Sequence, residues 1–243
     1  VIHGHWVYEF GLAAIESGVP YVVTCHDAPQ VVLRYMPNLY RLFRCWMGRR
    51  CRSQSSQVTA VSPYLQKKIQ RYTPASVFIV PNPLPPAILE NDLKIRNKEK
   101  TSDRPIVCMV LNGWGRRKNP IPALLAFQIL RREMPRAELR LYGTDFAPGQ
   151  IAENWSIRNG VSENVRFMGR LPYSSLLKEL ATAHILVHPA VEESFGMTVA
   201  EATAIGLPVI GGADCGAVPW VVGKGGILTD VSSPQAIADA LHT

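Results

Sequence analysis

The chain has 243 residues, 47% of them hydrophobic and 19% charged, an ordinary globular composition that can fill one large or two modest domains. It contains no run of 18 uncharged apolar residues, no recognisable signal peptide, no internal repeat and no low-complexity tract. Its five cysteines, Cys25, Cys45, Cys51, Cys108 and Cys215, form no C-x-x-C pair of metal-binding spacing, so reduced thiols in a cytoplasmic protein are expected.

The net charge of +7 is concentrated at one end. Residues 1–104 carry 14 Lys/Arg against 7 Asp/Glu, whereas residues 105–243 carry 12 of each. No acidic residue occurs from Ala28 to Leu89, a span that holds nine Lys/Arg. Such a block predicts an anionic partner, which could be a membrane surface, a phosphorylated acceptor or a nucleic acid. Nucleic acid is the weakest of these, because interleaved surface aromatics and a recognised binding motif are missing.

In chain order, Val1–His3 reads as the end of a strand and His3-Gly4-His5-Trp6 as the loop after it. A helix is predicted from about Val7 to Glu16, stopped by Gly18 and Pro20, and Tyr21–Thr24 as a buried strand leading to Cys25-His26-Asp27. A histidine directly after such a strand stands where α/β proteins place functional loops. Leu39, Leu42, Phe43 and Trp46 fall at i, i+3, i+4 and i+7 of a helix, with Arg41, Arg44 and Arg52 on the opposite side. Two readings stay open here: a core stripe with a solvated basic face, or a basic face that makes peripheral contact with an anionic membrane. Gln57–Val61 and Val77–Val80 read as further strands, with Ser62-Pro63 as the cap and first turn of the helix between them. From Glu90 to Arg104 the sequence is charged and loses apolar periodicity, so a linker is predicted there between domains at 1–89 and 105–243.

After the linker, strands are predicted at Pro105–Leu111, Ala137–Tyr142, Val165–Phe167, Ile185–Val187, Leu207–Ile210 and Ile227–Leu228. Helices are predicted from Asn119-Pro120 to about Arg132, over Tyr173–Ala183 and Met197–Ile205, and from Pro234 onward. The loop Asn112 to Pro120 contains Gly113, Arg116, Arg117 and Lys118 between a strand and a helix. It suits a diphosphate, since Arg offers a forked donor and Lys a compact charge. It is neither a Walker loop nor a dinucleotide fingerprint. Gly143 ends a strand where close backbone approach to a base or sugar would need glycine.

The stretch from His184 to Gly212 carries the most chemistry. Strand, loop, helix and strand follow one another, and in such units ligands sit at the carboxyl ends of the strands against the helix start. Ser194, Phe195, Gly196, Met197 and Thr198 would present free backbone N–H groups there, which favour a phosphate. Glu193 and Glu201 bracket them with seven residues between. Carboxylates would repel a phosphate they touched, so they are read as accepting hydrogen bonds from sugar hydroxyls on its two sides. The ligand so described is a nucleotide sugar.

This stretch, with Glu-Ser-Phe-Gly, Glu-Ala and Gly-Leu-Pro-Val-Ile in order, resembles the E-x7-E signature of retaining GT-B glycosyltransferases of the family 4 kind. The resemblance implies two doubly wound Rossmann-like α/β domains facing across a cleft, the first incomplete at its start. It implies that Glu193 contacts the transferred sugar, Glu201 the ribose, and Lys118 with Arg116 or Arg117 the diphosphate. Gly113, Gly143 and Arg170 fall on donor-binding positions. Thr24-x-His26-Asp27 and His3-Gly4-His5 are similar to the acceptor-side half, which makes His26 a catalytic candidate. No metal or other cofactor is implied, because basic residues and helix N–H groups neutralise the leaving diphosphate. The implied partners are a UDP- or GDP-sugar donor and a glycan or lipid-linked acceptor. Trp220 follows Pro219 where the family usually has Glu. An epimerase of the same fold and a noncatalytic nucleotide-sugar-binding module are the alternatives. Because the chain opens on Val1 within an apolar segment and closes soon after Pro234, a fragment is expected, one that binds a donor nucleotide yet transfers poorly alone.

Overall fold

Short apolar runs bounded by turn residues become strands, and the amphipathic stretches between them become the covering helices. A computed structural model describes residues 1–89 and 103–243, which divide into two units, Val1–Pro83 and Leu84–Thr243.

The first unit runs β1 (Ile2–His5), α1 (Glu9–Glu16), β2 (Tyr21–Cys25), α2 (Pro29–Tyr35), α3 (Leu39–Gln54), β3 (Val58–Ala60), α4 (Pro63–Gln70) and β4 (Val77–Ile79). The strands form one parallel sheet in the order β1-β2-β3-β4. Helix α4 starts as its sequence dictates. The Ser62 hydroxyl accepts from Leu65 N at 3.1 Å, and Pro63 fills the first helical position, where a missing N–H costs nothing.

Helix α3 is oriented against expectation. The stripe Leu39, Leu42, Phe43 and Trp46 is exposed, at 85%, 56%, 56% and 54%, while Met47, Gly48, Cys51 and Arg52 are buried. Small residues explain the choice. A Cβ on Gly48 would come within 2.9 Å of Pro29 Cγ, and one on Gly11 of α1 within 2.8 Å of Cys51 Sγ. The helix therefore packs on the side where its neighbours can approach most closely. The expected basic face breaks up in consequence. Arg52 is 3% exposed, and the Arg44 guanidinium lies 3.6 Å from the centre of the Tyr8 ring.

The second unit runs β5 (Ile106–Val110), α5 (Pro120–Glu133), β6 (Glu138–Tyr142), α6 (Ile151–Arg158), β7 (Val165–Gly169), α7 (Tyr173–Thr182), β8 (Ile185–His188), α8 (Met197–Ala204), β9 (Val209–Gly212), α9 (Val218–Val222), β10 (Gly226–Thr229) and α10 (Pro234–Leu241). Its six parallel strands are ordered β10-β9-β8-β5-β6-β7. Every strand expected from the sequence is present; helices α2, α6 and α9 were not expected. One face of the sheet carries Leu124, Phe127 and Leu130 of α5 with Ile237 of α10, and the other carries Leu177 and Leu180 of α7 with Val199 and Ala202 of α8. The expected linker lies outside the described residues except for 103 and 104. Leu84 and Ile88 pack into the core of the second unit, so that unit begins before residue 89.

From β5 the chain builds outward to β6 and β7, then returns to the other side of β5 for β8, β9 and β10. Strand order therefore reverses between β5 and β8, and the loops after these two strands diverge to opposite faces. This is where open α/β sheets bind ligands.

Candidate active site

The loop after β5 holds Arg116, Arg117 and Lys118, and the loop after β8 holds Glu192 and Glu193. Two ion pairs join them. Lys118 Nζ bonds Glu193 Oε1, and Arg117 Nη1 lies 3.3 Å from Glu192 Oε2. A backbone bond from Val191 N to Arg117 O at 2.9 Å fixes the register of the two loops. Asn119, in the left-handed region at φ +50, donates to Pro189 O at 3.1 Å and Val231 O at 2.9 Å, which ties in the loop after β10 as well.

The two carboxylates respond differently to burial. Glu193 is raised by desolvation, but the adjoining His188 ring and the Lys118 ammonium outweigh that and hold it at about 2. His188 Nε2 lies 3.4 Å from Glu193 Oε1. For Glu192, burial dominates and pushes the carboxyl up despite Arg117.

Helix α8 begins at Gly196, at φ +90, with no side chain capping it. Its leading N–H groups thus lack the acceptor that a Ser or Asp would supply. Ser194 and Phe195 ahead of it are buried, at 9% and 8%, while Met197 and Thr198 are partly exposed. Ala217 N donates to Glu193 O at 2.9 Å, which fastens the loop after β9 to the same corner. Inside α8, Glu201 is 6% exposed, and its Oε1 accepts from Tyr173 Oη at 3.1 Å. Burial raises the Glu201 carboxyl, with Tyr173 opposing. Burial and the Glu201 charge together push the Tyr173 phenol up to about 12.

The structure therefore brings Lys118, Glu193 and the start of α8 together at the strand switch, with Arg117 engaged by Glu192 and Arg116 exposed, without an ion pair among the described residues. Gly113, at φ +104, donates to Thr144 O at 3.2 Å, which holds this loop against the end of β6. Gly143 N donates to Gly169 O at 2.8 Å, so Gly143 and Arg170 follow adjacent strand ends. The need for glycine at 143 has an internal cause: a Cβ there would lie 1.7 Å from Leu111 O. Sequence reasoning missed Glu192, Asn119 and Tyr173. The matched doublets Arg117-Lys118 and Glu192-Glu193 were the available signal for the first.

His26 belongs to the first unit. Its Nε2 lies 2.8 Å from His5 Nδ1, and the Trp6 ring stands 4.9 Å away. Burial, then the neighbouring His5 and His3, push His26 down to about 4 against an opposing Asn82. It is a neutral imidazole at pH 7.

The glycosyl transferases group 1 family matches residues 91–243, and glycosyltransferase family 4 matches residues 1–87. A D-inositol 3-phosphate glycosyltransferase from Corynebacterium glutamicum is 43% identical over 86 residues, covering 35% of this chain and 20% of the relative. One from Corynebacterium urealyticum is 32% identical over 155 residues, covering 60% and 37%. In fold, the chain is similar to sucrose-phosphate synthase from Thermosynechococcus elongatus, with TM-score 0.70 at 20% identity over 99% of this chain and 63% of that one. It is also similar to the Anabaena protein HepE in complex with UDP-glucose, with TM-score 0.70 at 19% identity over 96% and 64%. The chain thus spans less than two thirds of these solved structures and under two fifths of these curated relatives. The likeness shows Rossmann-like domains of the GT-B type, and the chain belongs to the glycosyl transferases group 1 family.

Proposed function

We propose that the chain serves a glycosyltransferase that moves a sugar, with retention of anomeric configuration, from a UDP- or GDP-sugar to a glycan or lipid-linked acceptor. The observation that carries this reading is the corner at the strand switch, where Lys118, Glu193 and the uncapped start of α8 converge. In this reading Lys118 exchanges Glu193 for the donor diphosphate, and the released Glu193 accepts from hydroxyls of the sugar being moved. Arg116 is the second cation on the diphosphate, since Arg117 is already held by Glu192. Glu201, oriented by Tyr173, accepts from the ribose.

Fixed positive charge where negative charge develops on the leaving diphosphate is the main catalytic contribution, and it removes the need for a metal. The donor phosphate then helps deprotonate the acceptor on the face from which the nucleotide leaves. His26, neutral at pH 7, is assigned to the acceptor side. The relatives' names, which include D-inositol 3-phosphate and GDP-mannose, and the UDP-glucose bound by a similar structure support a nucleotide-sugar donor. Five free cysteines suit a cytoplasmic setting.

A thermal-unfolding screen against UDP-, GDP- and ADP-sugars tests the reading. The matching donor, at about 100 times its dissociation constant, should add roughly 2.7 kcal/mol. Stabilisation by none of these sugars or their free nucleotides would set the proposal aside.

A further inference from the structure

We propose that the outward face of α3 docks on an anionic lipid surface. This goes beyond the transfer reading and does not depend on it. Leu39, Leu42, Phe43 and Trp46 share one side of the helix, each more than half exposed, with the Phe43 and Trp46 rings stacked at 5.4 Å. A helix in a globular protein turns such a stripe toward its core. Here the core side is occupied by Met47, Gly48, Cys51 and Arg52, and the large apolar side chains face away from it.

Charge identifies the occupant. Arg49 and Arg50 continue the same side of the helix by one further turn and are exposed. The Arg50 guanidinium lies 5.9 Å from the Trp46 ring. Arg50 also meets Glu16 of α1 at 3.7 Å, an exposed pair that competes little with another anion. No acidic residue occurs in the sequence from Ala28 to Leu89 to repel a negative surface. Aromatic and leucine side chains followed by arginines on one helical side match the requirements of an interfacial helix, which buries its apolar part among acyl chains and leaves its cations among headgroup phosphates. Of the three arginines that the sequence alone pointed to, Arg41, Arg44 and Arg52, Arg52 is buried, Arg44 lies against the Tyr8 ring and Arg41 is half-buried, and none is part of this face.

The experiment is co-sedimentation of the chain with vesicles of phosphatidylcholine alone and of phosphatidylcholine with phosphatidylglycerol. Binding to the anionic vesicles is expected, with a blue shift in tryptophan emission that Trp46→Phe removes. Replacing Leu42, Phe43 and Trp46 together by Ser should lower partitioning at least about tenfold. Replacing Arg49 and Arg50 by Gln should lower it about fivefold per residue on anionic vesicles only. The exposed positions leave the fold intact, which far-UV circular dichroism checks. If the serine variant fails that check, the emission shift of the parent and of Trp46→Phe decides. Absence of binding, equal binding to both vesicle types, or binding unchanged by the serine replacements overturns the proposal. So does concentration-dependent self-association that the same replacements abolish, since the occupant would then be a second copy of this chain.

Discussion

Glu193→Gln is expected to cost the second unit about 3 kcal/mol of stability at neutral pH. The carboxyl is held at about 2 against an ordinary 4.5, and each unit of depression corresponds to about 1.4 kcal/mol. Both partners of the Lys118–Glu193 pair are about 15% exposed, so little is lost to solvent screening, and removing one leaves a mostly buried ammonium unpaired. The sign follows from the depressed value: the stabilisation is complete above about pH 4.5 and is lost as pH falls through about 2. Glu192 and Glu201 are shifted the other way by burial. Glu201 is common to parent and variant and cancels in the comparison, whereas Glu192, raised in part by the Glu193 charge, is eased by the substitution and offsets a little of the loss. Urea unfolding at pH 7 and at pH 3 measures the gap, which should narrow at the lower pH. A nucleoside diphosphate should restore part of the stability by taking the place of the lost carboxylate beside Lys118. A gap that is small or independent of pH would show that the pair contributes little.

Gly143→Ala should be more damaging still, at more than about 4 kcal/mol or with loss of the folded second unit. Its Cβ would lie 1.7 Å from Leu111 O and 2.8 Å from Leu111 C, both backbone atoms of the strand-to-loop junction that carries Lys118. The residue also sits at φ +118. Gly160→Ala separates these causes, because φ is +66 there and nothing lies within 4 Å of the added methyl. That change should cost only about 1–2 kcal/mol. Denaturant unfolding followed by the emission of Trp114 and Trp155 compares the two. Equal stability of the two variants would remove the steric account of Gly143.

The central strands β5, β8 and β9 were legible because each is a short apolar run closed by Gly, Pro or a polar turn residue, and a parallel sheet buried on both faces leaves that pattern intact. Helix α3 was read in the right place but with the wrong side toward the core. Periodicity finds an apolar stripe but cannot tell what lies opposite it, and the packing signal was carried by Gly48 and Cys51, residues that contribute closeness and not hydrophobicity. Helices α2 and α9 are short, and α6 (Ile151–Arg158) is largely polar, so none offered a stripe to find. In the site, Lys118, Glu193 and Glu201 were legible through their spacing around a strand and a helix start. Glu192, Asn119 and Tyr173 act on partners far along the chain, and only the sheet order brings those partners near. The conformational requirement at Gly143 was foreseen but assigned to a ligand, whereas the backbone of Leu111 imposes it.

Glu201 decides the central claim, that this corner holds a nucleotide by its ribose and diphosphate. The measurement is calorimetric titration of the nucleoside diphosphate selected by the donor screen into the parent and into Glu201→Gln. The substitution keeps the shape of a 6% exposed side chain and removes its charge, so a ribose contact should weaken by about tenfold or more, the cost of a hydrogen bond to a charged group. Affinity for inorganic diphosphate, which has no ribose, should stay within about twofold. Equal nucleotide affinity in the two proteins, or an equal loss for nucleotide and diphosphate, would contradict the assignment of Glu201 and with it the proposed orientation of the donor.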